Sequence, residues 1–151
     1  MKNYSILLLF CFLFACDSDK EETDEDIIKR YNEYLIGIWV PTFDGQSYSG
    51  NTIDIYRSDK TATFHAIESY KDGIYKVIST NNVFNAQVGR TSTGALKVYY
   101  DYYSKDSHGN QAVYGGEIDL YSITNETIEY YDPYLRKREV YQKVPSINIV
   151  E

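Results

Sequence analysis

Histidine, cysteine, tryptophan and tyrosine are the residues through which this 151-residue chain could do chemistry, and it holds two, two, one and seventeen of them. A histidine beside an acid can serve as a general base. Here His65 falls on the mixed-polarity side of a strand-like run, and His108 sits in the turn Asp106-Ser107-His108-Gly109-Asn110. Neither spacing suits zinc, and no acidic group has the pattern of a calcium loop. Gly94, Gly115 and Gly116 do not form a phosphate-binding loop leading into a helix. We therefore expect no catalytic residues, no metal and no cofactor, and a binding protein rather than an enzyme.

Tyrosine is the compositional anomaly. It is amphipathic and favours strands, so it can simply tile half-exposed sheet. Two functional readings stand beside that one. Inward-facing Tyr100, Tyr102 and Tyr130, with Phe64 and Phe84, would line a ligand cavity with apolar walls and a few orienting hydroxyls. Outward-facing Tyr99, Tyr103, Tyr121, Tyr131 and Tyr141 would instead form an aromatic rack for a glycan or a protein partner.

The elements that must position these side chains follow from periodicity. Ile27, Ile28, Tyr31, Tyr34 and Leu35 make one apolar stripe of a short helix. Thr23 and Asp26 form a capping box before it, and Gly37 ends it. Beyond Trp39 the chain reads as strands at about 37–40, 51–57, 61–69, 74–80, 83–89, 95–104, 111–122, 127–132 and 137–144, with Asn81-Asn82 among the separating turns. Even positions are apolar in the later runs (Leu96, Val98, Tyr100, Tyr102, Ile118, Leu120, Ile128, Tyr130, Val140), as period-two, half-buried antiparallel strands require. The earlier runs follow in part, with Ile53, Ile55, Ile74, Ile78 and Phe84 on the apolar side. No second helix is long enough for a parallel crossover, and no internal repeat suggests a propeller or solenoid. Eight or nine such strands need their edges protected, and closing the sheet does this. The expected fold is all-β: a small antiparallel up-and-down β-barrel behind a short N-terminal helix.

The N-terminus carries an address. Lys2, the apolar run Ile6–Phe14 and Ala15-Cys16 read as a secretory signal too short to span a bilayer. Leu13-Phe14-Ala15-Cys16 resembles the bacterial lipobox, which implies cleavage before Cys16 and lipidation of its thiol, by a diacylglyceryl group and acyl chains such as palmitate. Two or more chains hold a protein stably on a membrane where one does not. Cys11 would leave with the signal, so no disulfide is available. Asp17 to Asp26 hold seven acids against one base, a net of −6, while residues 27–151 carry only −2 of the chain's −7. The acidity thus belongs to a solvated tether, and the domain lacks the basic excess that nucleic acid would require. Cys16-Asp17-Ser18-Asp19-Lys20-Glu21-Glu22 is similar to the acidic tag that sends some lipoproteins to the outer face of the outer membrane. A periplasm-facing position is the alternative.

The helix running into Gly37-x-Trp39 on a first strand, followed by a one-sided meander, resembles the lipocalin and lipocalin-like barrels, and above all the small lipocalin-like bacterial lipoproteins. That resemblance implies that Trp39 plugs the closed end of the barrel below a cavity. It also implies a basic residue from the last strand packed over the indole, for which Arg136 and Arg138 are the candidates. The chain is therefore expected to comprise a lipoprotein signal peptide (1–15), an acidic lipidated tether (16–26) and a lipocalin-like barrel (27–151). Its expected function is to hold a small apolar or amphipathic ligand at a membrane, with surface interaction through the outward tyrosines as the alternative.

Overall fold

The computed structural model describes residues 22–42, 51–132 and 136–151. The signal peptide, Cys16 and the tether up to Glu21 lie outside the described residues. Helix α1 (Asp24–Leu35) is followed by β1 (Gly37–Pro41), β2 (Thr52–Tyr56), β3 (Ala62–Lys71), β4 (Ile74–Arg90), β5 (Leu96–Lys105), β6 (Gln111–Ile123), β7 (Thr127–Asp132), β8 (Lys137–Val144) and β9 (Asn148–Val150). Strands β1 to β8 pair antiparallel with their neighbours in chain order, and β8 returns to pair with β1. The result is a closed eight-stranded up-and-down barrel. The short β9 adds in parallel to the start of β4.

Helix α1 begins with the expected capping box, Thr23 and Asp26 satisfying each other's backbone N–H groups. The last three acids of the acidic run therefore sit in its first turn, where the helix dipole favours negative charge. Ile28, Tyr31, Tyr34 and Leu35 pack into one end of the barrel. Asn32 fastens the helix to β4: its side-chain amide donates to the Val88 carbonyl at 3.1 Å and accepts from the Val88 N–H at 2.8 Å. On this side β4 has already run past the start of β3, so Asn32 supplies the ladder bonds that no strand provides.

Two apolar cores result. The larger fills the lumen with Leu35, Trp39, Tyr56, Ala62, Val83, Ala86, Val88, Val98, Leu120, Ile123, Ile128, Tyr130 and Tyr141. The smaller lies outside the wall, where Ile147 and Ile149 cover Val40, Ile53, Ile67 and Tyr75. Strands β1 and β2 are buried on both faces, which is why Ile38-Trp39-Val40 shows no alternation.

Three strand readings change. The runs at 74–80 and 83–89 form the single strand β4, and Asn81-Asn82 is not a turn. Asn85, at φ 53°, inserts one extra residue opposite β5, because the register steps from Phe84–Asp101 to Gln87–Tyr99. This bulge reverses the facing of the strand: Val83, Ala86 and Val88 point inward, while Phe84 shares the outer face with Asp101. Ile74 and Ile78 are exposed, and Ile53 and Ile55 belong to the outer core rather than the lumen. In β8 the facing is also opposite to expectation, with Tyr141 buried inside and Val140 outside.

Candidate ligand-binding site

The closed end is built around Trp39, which is 0% exposed. Its indole N–H donates to the Leu35 carbonyl at the end of α1, at 2.7 Å. Lys143, the register partner of Trp39 on β8, lays its ammonium 4.8 Å above the ring and donates to the Tyr34 carbonyl at 2.8 Å. Partial burial pulls the Lys143 pKa down from its ordinary value. Lys143 thus holds the place expected of Arg136 or Arg138. Arg136 lies in the turn before β8 at φ 51°, and Arg138 faces outward with its guanidinium 3.3 Å from the Tyr121 ring centre. Gly37, at φ 147°, leaves room for the Lys143 stem, since a Cβ there would sit 2.9 Å from its Cε.

Directly opposite Trp39 on the neighbouring strand, β2 presents Asp54 to the lumen. It is 2% exposed. The Thr52 hydroxyl donates to its Oδ1 at 2.6 Å, and the Tyr130 hydroxyl donates to the same carboxylate. The Tyr56 and Tyr130 hydroxyls share a hydrogen bond at 3.1 Å. Burial pushes Asp54 up to about 6, with the neighbouring charge of Glu139 adding to the rise and the two hydroxyl donors opposing it. Burial also raises the phenols of Tyr56, Tyr130 and Tyr141, so they remain neutral donors. No described cation contacts Asp54.

Above this carboxylate the wall parts. Strands β6 and β7 share only the pairs Leu120–Tyr130, Ser122–Glu129 and Ile123–Ile128, with a bulge among them. Beyond Leu120, β6 continues alongside β5 alone, while Tyr131 and Asp132 continue alongside β8 alone. A cavity of about 450 Å³ enters through this split. Thr52, Asp54, Ile118, Tyr130, Glu139 and Tyr141 line its depth, and Lys97, Glu117, Asp119, Tyr131 and Asp132 form its rim. Lys97 is already engaged, bonded to Glu117 and, at 3.2 Å, to Asp119.

Of the residues expected to line a cavity, Tyr130 lines this one, and Tyr100 borders a separate, smaller pocket. Phe64, Tyr100 and Tyr102 face the lumen but are spent on one another: Tyr56 meets Phe64 edge-on at 5.8 Å, Phe64 meets Tyr100 at 5.3 Å, and Tyr102 stacks with Tyr114 at 5.8 Å. Tyr100 also lies flat over Gly116, where a Cβ would fall 2.4 Å from its ring. Phe84 is outside and stacks at 4.9 Å on Tyr103. The outward rack is divided as well: Tyr141 belongs to the lumen and Tyr121 lies under Arg138, leaving Tyr103 as its most exposed member.

Asp54, Thr52 and Glu139 were not legible as site residues, and Tyr141, expected on the outer face, lines the cavity instead. The available signal was a single acid between two isoleucines on the strand that follows the tryptophan. His65 stands on the outer wall, its Nδ1 2.9 Å from the Thr80 hydroxyl. Among the described residues no group of His, Cys, Asp and Glu could hold a metal ion. The fold and this site define a closed antiparallel barrel with an acid-floored cavity entered through its wall. Compared with known proteins, the chain matches no family model, no curated protein and no solved structure.

Proposed function

We propose that this protein is a membrane-anchored, lipocalin-like lipoprotein that holds a small amphipathic molecule in its barrel and performs no reaction on it. The observation that carries this reading is the cavity, whose volume of about 450 Å³ falls within the range of small-molecule sites. Its wall combines Ile118 and tyrosine rings with carboxylates, which suits a ligand with both an apolar body and a polar end. Attachment through a lipidated Cys16 at the outer membrane, facing the cell exterior, rests on the N-terminal sequence. The acidic tether would hold the barrel off an anionic lipid surface.

Native mass spectrometry of full-length protein, extracted gently from its own membrane, tests the binding. A non-covalent small-molecule adduct is expected on the wild type and its loss on Ile118→Trp, which fills the cavity. Reproducibly empty wild-type protein would overturn the proposal. Labelling cells with an alkyne analogue of palmitate should tag the wild type and leave Cys16→Ala blank. Protease treatment of intact cells should degrade the barrel, and full protection would favour the periplasm-facing alternative. A second reading, recognition of a glycan or protein by the outer face, is favoured by the Tyr103 ring, stacked on Phe84 and 60% exposed. Loss of cell-surface binding in Tyr103→Ala, with small-molecule occupancy intact, would support it.

A further inference from the structure

We infer that the cavity between β6 and β7 selects an organic monocation, a protonated amine on an apolar or aromatic body, whose nitrogen seats against Asp54 and Glu139. This rests on the reading of that cavity as a ligand site. The argument begins with Asp54, almost completely removed from water yet held by hydroxyl groups alone, Thr52 from its own strand and Tyr130 from β7. A buried carboxylate that lacks a counter-charge is costly to the fold, and such groups are ordinarily paired. Here the group instead belongs to the lining of a cavity.

The other charged groups around the cavity point the same way. Glu139 faces Asp54 from β8, and Glu117 and Asp119 stand on β6. Against Asp54 and these three carboxylates the described lining holds one cation, Lys97, which is occupied by Glu117 and Asp119. Glu139 has Lys137 at 3.4 Å, but Lys137 is not among the lining residues. A fatty acid or other anion entering the cavity would meet like charge from three strands. An ammonium would meet opposite charge, with the electron-rich faces of the Tyr130 and Tyr141 rings beside it. The strength of such pairing grows where water is excluded. Bound ammonium would also lower the proton affinity of Asp54, whose pKa burial has raised, so uptake near pH 6 should release protons.

A matched set of probes tests this: 4-phenylbutylamine, 4-phenylbutanol and 4-phenylbutyrate, which share one apolar body and differ in charge. In calorimetric titrations of ligand-stripped full-length protein at pH 7.5, the amine should bind at least about tenfold tighter than the alcohol, a gap within reach of one charge-assisted hydrogen bond. The acid should not bind measurably. Asp54→Asn should bring the amine down to the level of the alcohol, and Glu139→Gln should narrow the gap in part, both variants being checked for native circular dichroism. Should Asp54→Asn misfold, Glu139→Gln and proton release from the wild type near pH 6 carry the test. Equal binding of all three probes overturns the charge selectivity and leaves the cavity reading standing. Binding of none of them overturns the inference, and native mass spectrometry of unstripped protein then decides the cavity reading separately: a neutral or anionic adduct upholds it and an empty barrel ends it.

Discussion

Replacing Asp54 with asparagine should change not only the stability of the barrel but the way that stability depends on pH. In the folded protein burial pushes the Asp54 pKa up to about 6, from the ordinary aspartate value of 3.8. The raised value means that the unfolded chain loses its proton first. Below about pH 4 the group is protonated in both states and contributes nothing. Between about 4 and 6 the unfolded state ionises while the folded state still holds the proton, so stability falls as the pH rises. Above about 6 the whole penalty is present. A shift of about two units corresponds to about 3 kcal/mol, a large share of the 5–15 kcal/mol typical of a whole domain. Asparagine keeps the carbonyl oxygen that accepts from Thr52 and Tyr130, and its amide can be hydrated from the cavity. The assay is urea unfolding of ligand-free wild type and Asp54→Asn at intervals from pH 4 to 7.5. Other carboxylates, such as Asp26, Asp59 and Asp106, whose hydrogen bonds lower their pKa values, are common to both proteins and cancel in the difference. The variant should gain on the wild type by about 3 kcal/mol across that interval, with most of the change between pH 4 and 6. Parallel stability curves would refute the argument, because they would mean that Asp54 ionises in the barrel as easily as in water.

Trp39→Ala should cost about 3–5 kcal/mol, the usual toll for truncating a buried aromatic. As the only tryptophan, Trp39 should also emit at short wavelength and resist iodide quenching in the native state. Asn32→Ala should cost about 1–3 kcal/mol by stranding the buried Val88 N–H and carbonyl, and hydrogen exchange should show α1 losing protection before the strands do. Gly116→Ala should cost about 1–3 kcal/mol through overpacking against the Tyr100 ring. In thermal melts, adding Tyr100→Leu to Gly116→Ala should recover part of that loss.

Much of the architecture was legible because one-sided alternation is a strong constraint. In β5, Leu96, Val98, Tyr100 and Tyr102 alternate without interruption, and all four meet the lumenal core. The capping box at Thr23 and the helix stripe were equally plain, whereas the place of Trp39 at the closed end came only from the resemblance. What failed, failed for two local reasons. The bulge at Asn85 inserts a single residue, and one residue is enough to turn every later side chain to the other face, so Phe84 read as inward. The chain after β8 builds a core outside the wall, so Ile53 and Ile55 read as lumenal when Ile147 and Ile149 were waiting to cover that face. Once Ile53 is assigned outward, Asp54 must point inward, and the acid at the heart of the cavity becomes visible. Periodicity names the two faces of a strand, but here only the covering segment decided which face was the lumen.

The two departures from an ideal barrel coincide in space, and that coincidence gives the functional reading its weight. A closed barrel gains from complete pairing all round, yet β6 leaves β7 at Leu120 and continues alongside β5 alone. A lumen gains from apolar filling, yet the strand next to the tryptophan places a carboxylate inside it. Either departure alone would be an ordinary imperfection. Together they place the unpaired stretch of wall directly over the uncompensated charge, with Tyr130 reaching from one to the other: it makes the last β6–β7 pair and it hydrogen-bonds Asp54. Local conflict with the rules of stable folding tends to gather at functional sites. Removing Asp54 should therefore raise stability at neutral pH while erasing selective binding, a combination that a merely structural role for the acid would not produce.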